Sequence, residues 1–174
     1  MNIGQITSQS SSETELIARI QKGEIFIEEN KNFEKGITYY LSFQYTGKSQ
    51  NKTKILLSKN QKEQMPIRVL PILEKSKTYD FIFTPDRDYN SIIFDNVTLE
   101  ASNLVLIKLN NILGNVKIIK DLGIQGEPGL RFSINGDDFT LGKSGFFYLS
   151  DLDITKVCFH KRTKEEFFIM TYQY

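Results

Sequence analysis

Six glycines, at 123, 126, 129, 136, 142 and 145, punctuate one stretch of the chain from Leu122 to Leu149, and each falls between short apolar runs. Glycine takes positive φ without steric cost, so glycines spaced this way read as successive tight turns between strands. Asn135-Gly136 followed by Asp137-Asp138 is the sharpest of these signals, because Phe132 and Ile134 lie on one side and Phe139 and Leu141 on the other. The spacing predicts a compact β meander closing on Phe146-Phe147-Tyr148-Leu149.

The rest of the chain follows the same grammar. Ile25-Phe-Ile27, Ile37 to Tyr45, Ile55-Leu-Leu57, Ile67-Arg-Val69, Tyr79 to Phe83, Asn90 to Phe94 and Leu104 to Leu109 are short runs bounded by turn residues. Within the second of them, Tyr39, Leu41, Phe43 and Tyr45 share one face at the period of a strand. Many short strands without long helical patterns predict an all-β fold, an antiparallel, jelly-roll-like β-sandwich. One exception is expected. Ser12-Glu-Thr-Glu15 has the form of a capping box, and Leu16, Ile17 and Ile20 share a helical face until Gly23, which predicts a short N-terminal helix. The expected organisation is a flexible start and helix over 1–23, a sandwich over 24–114, and the glycine-rich meander over 115–174.

Composition excludes several functions. Lys and Arg number 22 against 21 Asp and Glu, so no strong field favours nucleic acid or an anionic membrane. The one tight basic group, His160-Lys161-Arg162 with Lys164, is followed at once by Glu165-Glu166 and reads as a solvated turn. No run is apolar for long enough to span a membrane as a helix, and the polar N-terminus does not read as a signal peptide. The expectation is therefore no nucleic-acid partner, no membrane insertion and no export.

Catalysis finds little to work with. One cysteine, Cys158, and one histidine, His160, stand two residues apart on a strand, about 6.5–7 Å at their roots, with no third group to orient them. The pair is also too few ligands for structural zinc. Asp137-Asp138 falls in a turn, and adjacent carboxylates on a strand point to opposite faces. The chain reads as a non-enzyme that needs no cofactor. Two binding sites remain to be weighed. Asp86-Arg-Asp88-Tyr-Asn90 opens like a calcium loop, although Ser91 and Val97 stand where an EF-hand places Gly and Glu, so Asp86, Asp88 and Asn90 are metal candidates only through a sandwich loop. Sugar rings stack on exposed aromatics, and Tyr40, facing away from Leu41 and Phe43, and Tyr89, in a polar loop, are the glycan candidates.

The C-terminal pattern resembles a module of bacteriophage tail and baseplate structural proteins from phages of Gram-positive hosts. The likeness rests on Leu122 to Gly129, Phe132 to Gly136, Leu141 to Gly145, Phe146 to Leu149 and Ile154 to Phe159. It implies a structural component of a virion, in the tail, baseplate or neck, assembled in the host cytoplasm through contacts with other copies of itself and other virion proteins. The segments expected to reach neighbouring subunits are the predicted helix, with Leu16, Ile17 and Ile20, and an aromatic terminal strand, with Phe167, Phe168, Tyr172 and Tyr174. The order of strands in the first part resembles carbohydrate-binding jelly-roll modules, which implies a second reading in which a bacterial cell-surface polysaccharide is the partner.

Overall fold

The computed structural model describes residues 2–8, 14–16, 18–21, 24–27, 31–46, 49–95, 100–113, 118–160 and 167–173. Sixteen strands, numbered in chain order, account for its regular structure, and among the described residues there is no helix. The chain divides into two compact units. One holds residues 14–108; the other joins residues 1–13 to residues 109–174.

The first unit contains β2 (Thr14–Leu16), β3 (Ala18–Gln21), β4 (Glu24–Ile27), β5 (Thr38–Thr46), β6 (Thr53–Lys59), β7 (Glu63–Leu70), β8 (Lys77–Phe83), β9 (Ser91–Phe94) and β10 (Glu100–Leu109). They form two sheets, ordered β2-β10-β5-β8 and β3-β4-β9-β6-β7. With β3 set aside as an added edge strand, this is the winding of a jelly roll, in which consecutive strands pass between two four-stranded sheets except at the β6–β7 hairpin. The inward rows are those the alternation predicts: Tyr39, Leu41, Phe43 and Tyr45 of β5 meet Ile25, Ile55, Leu57, Ile92 and Phe94 of the facing sheet in one core. Phe43 sits edge-on to Phe94 at 5.2 Å and to Phe81 at 6.2 Å, arrangements that suit the aromatic quadrupole. The β6–β7 hairpin turns at Asn60 and Gln61, both at positive φ and neither a glycine.

Where a helix is expected, the structure has strands. β2 pairs with β10, setting Leu16 opposite Leu106, and β3 pairs with β4, setting Ile20 opposite Ile25. Leu16 and Ala18 pack against the core. Apolar residues at 16 and 20 satisfy the helical period and the strand period equally, so spacing alone cannot separate them. An isolated helix this short is marginal in water, whereas strand pairing against an existing sheet gains both hydrogen bonds and burial. Ser12 and Ile17 lie outside the described residues.

The second unit contains β1 (Asn2–Ser8), β11 (Asp121–Gln125), β12 (Arg131–Ile134), β13 (Asp137–Thr140), β14 (Phe146–Leu149), β15 (Val157–His160) and β16 (Phe167–Gln173). Its sheets are ordered β1-β16-β11-β14 and β13-β12-β15. Asn135 and Gly136, at φ 50° and 91°, make the turn between β12 and β13 that the sequence predicts. The Asn135 side chain also accepts the Thr155 amide at 2.9 Å and donates to the Asp153 carbonyl at 2.8 Å, tying the hairpin to the segment before β15. Leu122, Ile124, Phe132, Ile134, Val157 and Phe159 form a separate core. Its centre is Phe132, stacked on Phe139 at 5.6 Å and edge-on to Phe147 at 5.2 Å.

The terminal strand is not at an edge. β16 lies between β1 and β11, antiparallel to both, with Ile169 opposite Ile6 on one side and Ile124 on the other. The chain's first strand therefore belongs to the glycine-rich unit, a long-range pairing that no local pattern announces.

Candidate functional site

The loop 86–90 is organised by Tyr89. Its backbone exchanges hydrogen bonds with Phe33 at 2.7 and 3.0 Å, and its ring is buried in the first core, 1% exposed. The hydroxyl donates to Asp86 Oδ1 at 2.6 Å. Burial first, and then the hydrogen bond and negative charge of Asp86, push the phenol up from its ordinary 10.0 to about 12. A ring held this way offers no face to a sugar, which corrects the expectation for Tyr89.

Neither does the loop gather a cation site. Asp86 is engaged by Tyr89 and lies 3.6 Å from Arg87 Nε. Asp88 Oδ1 accepts the Lys35 amide at 2.8 Å. Asn90 pairs with Asn60, donating to its side chain at 2.9 Å and accepting its amide at 3.3 Å. The three candidates thus serve three different neighbours, and they stabilise a turn rather than converge on a point. Among the described residues no three His, Cys, Asp or Glu side chains cluster so as to hold a metal.

Tyr40 is also corrected. It does face away from the Tyr39–Leu41–Phe43 core, as its alternation predicts, but it is only 1% exposed, and its hydroxyl donates to Asp80 Oδ2 at 2.9 Å. Alternation fixes which face a residue takes and not whether that face meets water.

Among the residues whose side chains are described, the aromatics most exposed to water lie on β14. Phe147 and Leu149 pack on the second core, while Phe146 and Tyr148, on the opposite face, are 47% and 51% exposed. Residues two apart on a strand stand about 6.5–7 Å from each other, so the two rings form a short row. Across the row, Gln125 pairs with Phe146 and Gly123 with Tyr148. An exposed amide thus flanks one ring, and a position without a side chain flanks the other. The turn ahead of the row is fixed: Gly145 N–H donates to the Gly142 carbonyl at 3.0 Å, and Ser144 Oγ accepts the Phe146 amide at 3.3 Å. Sequence reasoning placed these residues in the meander without marking them as a site. Alternation places Phe146 and Tyr148 on the face opposite Phe147 and Leu149, and the exposure of that face is seen only in the folded structure.

The remaining candidates are dispersed. Leu16 is turned toward the first core. Ile20 lies on β3, at the edge of its sheet, Phe167, Phe168 and Tyr172 lie on β16, between β1 and β11, and Ile17 and Tyr174 lie outside the described residues. Cys158 and His160 share a face of β15, opposite Ser133 and Arg131 of β12, and both are buried. Arg131 is ion-paired with Asp138 on the same face. Among the described residues this is a buried polar layer.

No protein-family model matches the chain, and no curated protein matches it. Among solved structures, a family 29 carbohydrate-binding module complexed with mannohexaose is similar at 15% identity with a TM-score of 0.34, covering 61% of this chain and 91% of that one. That score is too low for the similarity to bear on fold or ligand. The all-β, antiparallel sandwich described above stands on the strand pairing itself.

Proposed function

We propose that this chain is a non-catalytic binding module whose ligand is a carbohydrate, a bacterial cell-surface polysaccharide, held on the face of β14. One observation carries the reading: two large aromatic side chains, Phe146 and Tyr148, stand half in water on one face of a strand whose other face is core. Rings so placed stack against the C–H faces of pyranoses, and a flanking amide, here Gln125, pairs with hydroxyls. The burial of Cys158 and His160 supports the non-catalytic part.

The test is binding to polysaccharide extracted from Gram-positive cell walls. Phe146→Ala with Tyr148→Ala is expected to abolish saturable binding while leaving circular dichroism unchanged, because both positions are exposed. Undiminished binding by the double variant, or no binding by the parent chain, would sink the reading. A place in a virion tail, baseplate or neck is compatible with this activity and rests on the glycine-rich C-terminal pattern alone. Mass spectrometry of purified particles tests it, and absence of the chain from them removes it.

A further inference from the structure

The first unit holds a groove of its own. Its floor is Ser49, on the connection after β5, and Leu73, on the connection between β7 and β8, both buried. The two connections are fastened together: the Ser49 amide donates to the Leu73 carbonyl at 2.8 Å, and the Leu73 amide donates to Ser49 Oγ at 2.6 Å. Around this floor stand Gln50, Ile72, Glu74 and Lys75, all exposed, with Ile72 at 54%. The groove is open to solvent rather than enclosed, and its volume of about 700 Å³ is within the range of about 300–1,000 Å³ typical of small-ligand sites.

From this lining we infer that the groove is a second carbohydrate site, taking a short stretch of a polyhydroxylated chain; the inference rests on the carbohydrate reading above. The chemistry narrows the ligand. An added peptide strand needs free backbone donors and acceptors at the rim, and those of Leu73 are already taken by Ser49. A polyanion needs a surplus of positive charge, and Lys75 is offset by Glu74 beside it. A purely apolar ligand would find Ile72 and Leu73 among four polar side chains, with the mouth open to water. A sugar uses all of them. Ile72 offers a C–H surface, the Glu74 carboxylate accepts from hydroxyls, and the Lys75 ammonium and the Gln50 amide donate to them. The Ser49 hydroxyl, whose oxygen accepts from Leu73, keeps its own hydrogen to give.

Amide chemical-shift mapping on the full chain tests this, with β-1,4-linked hexasaccharides of glucose, mannose and N-acetylglucosamine and with solubilised Gram-positive wall polysaccharide as probes. The expected result is two separate groups of shifted amides with at least one probe, at 49–50 with 72–75 and at 143–149. Gln50→Ala with Ile72→Ala is expected to erase the first group, leave the second, and lower the calorimetric stoichiometry for that hexasaccharide from two to one. Shifts confined to 143–149 would overturn the second site while leaving the reading of β14 intact. Shifts confined to the groove would remove β14 and keep the groove. No shift with any probe would overturn both.

Discussion

Gly145 and Gly126 approach so closely that the structure has no room for a side chain between them. The Gly126 amide donates to the Gly145 carbonyl at 2.9 Å, and a Cβ added at Gly145 would sit 2.7 Å from the Gly126 carbonyl oxygen. Gly145 is also at φ +68°, where a side chain is strained regardless of space. This contact sets the start of β14 and hence the position of Phe146. Gly145→Ala is expected to destabilise the second unit by about 2–4 kcal/mol, combining the left-handed backbone cost with the clash. Urea denaturation followed at a probe in that unit checks it; an unchanged midpoint would mean the turn relaxes freely.

Tyr89 gives the protein a specific alkaline weakness. A phenol whose folded pKa is raised contributes its full stabilisation below the unfolded value and loses it as pH rises through the folded one. For Tyr89 the window runs from 10.0 to about 12, and the stabilisation is lost across it as pH rises. Tyr39 and Tyr45, raised chiefly by burial, act in the same direction. Tyr89→Phe is expected to cost about 0.5–1.5 kcal/mol at neutral pH, through the lost bond to Asp86, and to flatten the decline above pH 10. Thermal melts of both chains between pH 8 and 12 would reveal parallel curves if the idea is wrong.

Tyr40 separates folding from binding. Removing its hydroxyl in Tyr40→Phe breaks the bond to Asp80 and is expected to cost about 1 kcal/mol. Tyr40→Ala empties a buried site and is expected to cost about 3–5 kcal/mol. Polysaccharide affinity of the folded Tyr40→Phe chain should equal that of the parent, and a tenfold loss there would return Tyr40 to the binding surface.

Deleting residues 166–174 removes a strand that two others depend on. Because β16 is hydrogen-bonded to β1 and β11, its loss leaves two open edges inside one sheet. Hydrogen exchange on the truncated chain is expected to show loss of amide protection in β11 and β14, with β5, β6 and β8 still protected. Retained protection in β11 would mean that β16 is dispensable to the sheet.

Much of this protein was legible before folding. The alternation in Ile37 to Tyr45 placed Tyr39, Leu41, Phe43 and Tyr45 in a core, and Asn135-Gly136 announced its own hairpin, because both depend on interactions within a few residues. The turn at Asn60-Gln61 was silent, since its positive φ values are imposed by the pairing of β6 with β7 and not by glycine. Residues 16–20 fitted two periods at once, and the partners β10 and β4 decided between them. The site was the hardest to read. Tyr40 and Tyr89 were rightly assigned by local pattern to an outer face and a loop, yet both are buried, because solvent exposure depends on what packs over a residue from elsewhere in the chain. Phe146 and Tyr148 are their converse, two rings that alternation put on the face opposite Phe147 and Leu149 and that the described tertiary structure leaves half uncovered. Periodicity within one strand assigns the faces, and only long-range packing decides which face water reaches.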